Sequence, residues 1–86
     1  MEWEEIETEL IALAERLDIE IRHVRYDGEG GLCLIRGKEV LAVNDGLDTP
    51  DRVVVMARAL AAVPEIDAVY MVPEIRSLLD KYALEG

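Results

Sequence analysis

Eighty-six residues fit one domain, near the lower end of what folds without disulfides or a metal. The formal charge is −10, from 19 acids against 9 bases, and 51% of the residues are hydrophobic. Such a field repels phosphate backbones and anionic headgroups, which argues against nucleic acid or a membrane surface as partner. An apolar fraction this high in so small a chain implies a dense core, or apolar surface meant for a second copy or another protein.

The charge is uneven along the chain. Glu2, Glu4, Glu5, Glu7, Glu9, Glu15, Asp18 and Glu20 face only Arg16 in the first twenty residues. Over residues 21–43, Arg22, Arg25, Arg36 and Lys38 slightly outnumber Asp27, Glu29 and Glu39. The single cysteine, Cys33, excludes an intrachain disulfide and suits a reducing compartment. No stretch nears the roughly 18 apolar residues of a membrane span. The start is acidic rather than basic, so no signal or transit peptide is expected and the expected location is cytoplasmic.

Residues 3–17 read as an amphipathic helix, with Trp3, Ile6, Leu10, Leu13, Ala14 and Leu17 at helical spacing and Ile11 at the stripe's edge. Glu2, Glu4 and Glu5 crowd its first turn, where the helix dipole favours negative charge. Three strand-like runs follow: Ile19–Tyr26, Leu32–Arg36 and Glu39–Val43. A glycine-rich turn, Asp27-Gly28-Glu29-Gly30-Gly31, separates the first two. Gly37-Lys38 between the others predicts a two-residue type II′ hairpin, with Arg36 opposite Glu39. Asn44-Asp45-Gly46 closes the meander.

In that register Val24, Tyr26, Leu32, Leu34, Leu41 and Val43 share one face, the expected core. The other face carries Ile19, Ile21, His23, Arg25, Cys33, Ile35, Val40 and Ala42. A sheet apolar on both sides must be covered on both, which points to self-association. Ile21, His23, Cys33, Ile35, Val40 and Ala42 are therefore the candidate dimer or partner face.

Thr49 is the expected N-cap of the next helix, with Pro50 at its first position. From Val53 to Val63 that helix is apolar except for Arg58, so it should be the most buried; Pro64 stops it. Ala68–Val72 reads as a short fourth strand. Pro73 opens a last helix with Ile75, Leu78, Leu79 and Tyr82 as its stripe. The expected fold is α+β in one domain over residues 1–86: N-terminal helix, three-stranded antiparallel meander, buried central helix, short fourth strand, C-terminal helix, in the order α-β-β-β-α-β-α.

Catalytic chemistry finds few residues to use. One His and one Cys cannot build a zinc site within one chain. Asp45, Asp48 and Asp51 recur every third residue, without the alternating ligands and closing Glu of a calcium loop; turn and N-cap roles account for them. Gly28, Gly30 and Gly31 follow a strand but precede another strand, so no helix N-terminus is available for a phosphate. His23 and Cys33 share a face in the register above, with Arg25 opposite Cys33 and able to lower the thiol pKa. Nothing supplies an oxyanion hole, and packing roles explain both residues better. No catalytic residue, metal or cofactor is assigned.

At residues 32–63 a strand, a hairpin at Arg36-Gly37-Lys38, a strand ending at Val43-Asn44-Asp45, a polar turn and the helix Arg52–Val63 follow in order. This succession resembles the strand-to-active-helix segment of ImmA/IrrE-type zincin metallopeptidases, whose helix carries Ala-His-Glu-Leu-x-His. Laid on Ala57-Arg58-Ala59-Leu60-Ala61-Ala62, the Ala and Leu match. The two zinc ligands and the general base are replaced by Arg58, Ala62 and Ala59. The resemblance covers about a third of the chain and implies a zincin-like scaffold without metal or peptidase activity. The leading expectation is a non-catalytic module that pairs with itself as a homodimer, or with another protein. A degenerate zincin scaffold with a regulatory or peptide-binding role comes second. A small Cys/His-dependent enzyme or ligand-binding protein is third.

Overall fold

The computed structural model describes residues 1–25 and 30–85, the last two by backbone alone. Helix α1 spans Trp3–Arg16 and buries Leu10, Leu13 and Ala14. Its first turn is tied by the Glu2 N–H, which donates to the Glu5 carboxylate at 3.2 Å. Trp3, expected in the stripe, is 46% exposed at the helix start. The helix ends in a Schellman motif. The Ile19 N–H reaches back to the Ala14 carbonyl at 2.9 Å, and the Asp18 N–H to Glu15 at 3.1 Å. Asp18 takes the left-handed conformation this requires, at φ 60°.

Strands β1 (Glu20–Val24), β2 (Gly30–Ile35) and β3 (Lys38–Asn44) form one mixed sheet, in the spatial order β1-β3-β2. This corrects the antiparallel meander: β1 runs parallel to β3, and only β2 is antiparallel to it. The reason lies in which strand can be central. A central strand needs apolar side chains at both parities, and Val40, Leu41 and Val43 are each at most 1% exposed. Glu20, Arg22 and His23 suit β1 to an edge instead. Tyr26 and the Asp27–Glu29 part of the expected glycine-rich turn lie outside the described residues.

Parallel pairing also reverses the expected facing of β1. Ile21 and His23 pair with Leu41 and Val43, whereas Val24 pairs with Asn44. Cys33 and Ile35 pair with Val40 and Lys38 on the far face. The hairpin is corrected as well. Arg36 and Gly37 are its two central residues, both with positive φ (52° and 79°), as in a type I′ turn. Leu34, not Arg36, therefore faces Glu39.

Helix α2 spans Thr49–Ala61, with Asp48 rather than Thr49 as N-cap. It buries Val53, Val55, Met56, Ala57 and Leu60, and is the hub of the core as its composition predicted. A 3-10 turn, Pro64–Ala68, follows; no fourth strand occurs among the described residues, where Val69–Val72 is irregular chain. Pro64 opens the 3-10 turn and Pro73 opens the next helix, so only four residues are left between the two elements. Helix α3 (Pro73–Glu85) packs through Ile75 and Leu79.

One hydrophobic cluster joins residues of all three helices to Leu41 and Val43. The helices thus lie on that side of the sheet, and Val40 is buried apart from the cluster. No helix among the described residues is long and apolar enough to cross a membrane.

Candidate functional site

The helix layer leaves one sheet edge open. β2 carries no charged side chain and no proline, and five of its six residues are exposed. Leu32 is 37% exposed, Leu34 69% and Ile35 40%, although Leu32 and Leu34 were expected in the core. They do point to the Leu41 side, as alternation requires, but β2 is an edge strand, and α2 packs beside it without covering these side chains. Native edges are normally blunted by charge, proline or cover, and β1 has Glu20, Arg22 and His23. Among the described residues, β2 has none of these.

Its ladder geometry follows from the hairpin. A two-residue loop is flanked by a pair that exchanges both hydrogen bonds, here Ile35 and Lys38. Bonding then alternates through Cys33 and Gly31, so the N–H and C=O of Leu32 and Leu34 point outward. Gly30 ends the regular stretch at φ 118°. A Cβ there would sit 2.1 Å from the Ala42 carbonyl oxygen, so only glycine fits.

Beside this edge runs an open groove along α2. A cleft of about 320 Å³ lies between the two elements, lined by Gly30, Gly31, Leu32, Val55, Arg58 and Ala59. Arg58 also borders a 210 Å³ cleft with Asp51 and Val54, and a 230 Å³ cleft with Ala62 and Tyr82. Its guanidinium lies 5.5 Å from the Tyr82 ring centroid, within cation–π range. At the positions matching the zincin motif, Arg58 and Ala62 are exposed and Ala59 is half-buried. None of these side chains offers a cation a donor. Among the described residues, no three His, Cys, Asp or Glu side chains gather as a metal site requires.

The expected partner face is split. Ile21 and His23 lie on the helix side, while Cys33, Ile35, Val40 and Ala42 lie on the other. On that other face Val40 is already 1% exposed and Ala42 half-buried, while Cys33 and Ile35 are open; on the helix side His23 is exposed. His23 and Cys33 are thus on opposite faces, in strands separated by β3, and cannot act as a base and nucleophile pair. Arg25, expected opposite Cys33, instead approaches Asp45 at 3.7 Å.

A polar junction that the sequence did not announce joins α1 to the start of α2. Arg52 donates from Nε to Glu7 at 2.7 Å and from a terminal nitrogen to the same carboxylate at 3.2 Å. It also donates to the Leu47 carbonyl at 2.7 Å and to the Thr49 hydroxyl at 2.9 Å. The hydrogen bond to Glu7 raises the Arg52 pKa above the usual arginine value, and the nearby charge of Glu7, Asp45 and Asp48 adds to it against the opposing effect of burial. Glu7 is one of many acids on an acidic helix, and only the three-dimensional crossing of α1 and α2 singles it out.

No family model, curated protein or solved structure matches the chain.

Proposed function

We propose that the chain is a non-catalytic interaction module that assembles by extending its sheet, with a second copy of itself as partner. The observation that carries this reading is the β2 edge, unpaired on its outer side among the described residues: uncharged, proline-free, and bearing Leu34 at 69% exposure. Main-chain groups directed outward from such a strand bind another strand, and alternate side chains supply selectivity. Sedimentation velocity over a hundredfold concentration range tests the reading. A dimer is expected; a species that stays monomeric throughout refutes it.

A second reading, a zincin-like scaffold without metal that holds a peptide, draws support from the groove beside β2, where three clefts meet at Arg58. Against it stands the strand order, in which Leu41–Val43 belongs to the central strand rather than to the edge. Amide shifts confined to β2 and α2 on adding an extended peptide, with no self-association, would favour it over the first.

A further inference from the structure

We infer that two copies join antiparallel through β2, about a two-fold axis at Cys33, with Leu34 of each copy seated in the cleft beside Arg58 of the other. The inference rests on the self-association reading and adds its geometry.

The register is set by the strand's own limits. Gly30 (φ 118°) and Arg36 (φ 52°) both leave the extended region, so the stretch free to pair is Gly31–Ile35, whose midpoint is Cys33. The outward-pointing groups of Leu32 and Leu34 must meet each other, because hydrogen-bonding positions pair only with hydrogen-bonding positions. A two-fold at Cys33 satisfies this: Leu32 faces the partner's Leu34, and Leu34 the partner's Leu32. Axes at Leu32 or Leu34 also satisfy it, but they draw the distorted Gly30 or the turn residue Arg36 into the ladder.

The side chains fit the same axis. On the helix side, the partner's Leu34 falls just outside Leu32, over the 320 Å³ cleft lined by Leu32, Val55, Arg58 and Ala59. A leucine 69% exposed in the single chain is thereby buried against Leu32, Val55 and Ala59, beside Arg58. On the far side the partner's Ile35 lies beside Gly31, where a Cβ would meet nothing within 4 Å. The segment reads Gly-Leu-Cys-Leu-Ile, with leucines symmetric about the cysteine and the large end residue opposite the small one. A second copy therefore complements this edge without any other protein. Two edge strands joined in this way form one continuous six-stranded sheet.

Cys33 reports the register. At the axis it faces the partner's Cys33 as a non-hydrogen-bonded pair, with Cα atoms about 4.5 Å apart, inside the span of a disulfide. Diamide oxidises the two thiols to one disulfide and takes up the two electrons and two protons they lose. In the double variant Cys33→Ser, Ile35→Cys the two new thiols lie four residues out of register, about 14 Å apart along the strands. Both positions are exposed, and the displaced thiols cross-link only by collision. The expected result is rapid covalent dimer from the natural chain and at least tenfold slower cross-linking in that variant. Leu34→Lys, at an exposed site, should keep its circular dichroism and weaken dimerisation at least tenfold. Equal cross-linking rates, or a Leu34→Lys dimer of unchanged affinity, overturn the inference while a dimer in sedimentation leaves the self-association reading standing. A monomer in sedimentation overturns both.

Discussion

The Glu7–Arg52 junction is the strongest polar link between α1 and α2, and its removal has a calculable effect. The two side chains are 15% and 21% exposed, so solvent screens them less than a surface pair. An exposed ion pair contributes about 0.2–1 kcal/mol, and a hydrogen bond to a charged group about 1.5–3 kcal/mol. With one short contact at 2.7 Å and a longer one at 3.2 Å, a coupling of about 1.5–2 kcal/mol is expected. The single variants should differ. After Glu7→Ala, Arg52 keeps the Leu47 carbonyl and the Thr49 hydroxyl, so the cost stays near about 2 kcal/mol. Arg52→Ala loses all four bonds and strands a mostly buried carboxylate, costing about 3 kcal/mol. Urea unfolding followed at 222 nm for the wild type, both single variants and the double variant closes the cycle. A coupling below about 0.5 kcal/mol, or a costlier Glu7→Ala, would refute the reasoning. The pH dependence has a definite sign. Arg52 has a raised pKa in the folded state, so its stabilisation is complete below the unfolded value and fades only as pH climbs through the folded one. The cost of Arg52→Gln should therefore stay constant between about pH 7 and pH 10.

Arg36 occupies a left-handed turn position that asparagine tolerates far better, so Arg36→Asn should stabilise the chain by about 1 kcal/mol. Thermal melts should show a rise of roughly 4–8 °C, and a fall would disprove the type I′ assignment. Gly30→Ala places a methyl against the Ala42 carbonyl at a φ that L-residues rarely adopt, and should cost at least about 2 kcal/mol in urea unfolding. A neutral result would mean that β2 enters the sheet differently. Each copy carries a formal charge of −10, so added salt should tighten the dimer by screening repulsion. Dissociation constants from sedimentation at low and high salt check this; weakening by salt would point to a charged contact instead.

Most of the elements could be read in the residue order, because hydrophobic period and turn chemistry act over a few residues. Three helices and three strands fall close to their expected spans, and Pro64 and Pro73 mark real boundaries. The alternation of β2 and β3 is also legible, because the structure shifts the expected hairpin register by two residues and a shift of two keeps every side chain on its face. Ala68–Val72 was misread because a short apolar run looks the same whether it joins a sheet or caps a core. The exposed edge is legible only in part: alternation places Cys33 and Ile35 away from the helices, where both are exposed, but it also puts Leu32 and Leu34 on the core face, where the structure leaves them open.

By itself, then, the sequence determined where the chain turns, which helix carries the core, and that no group of residues has the spacing of a metal motif. What only the tertiary structure decided was strand order. Whether β1 pairs with β2 or with β3 depends on contacts between residues about twenty apart; composition suits β1 to an edge but leaves both β2 and β3 apolar enough to be central. That single choice put β3 in the centre, moved His23 and Cys33 to opposite faces, and left Leu32 and Leu34 on an open edge. Local chemistry sets what a segment is; long-range pairing sets which of its sides meets water.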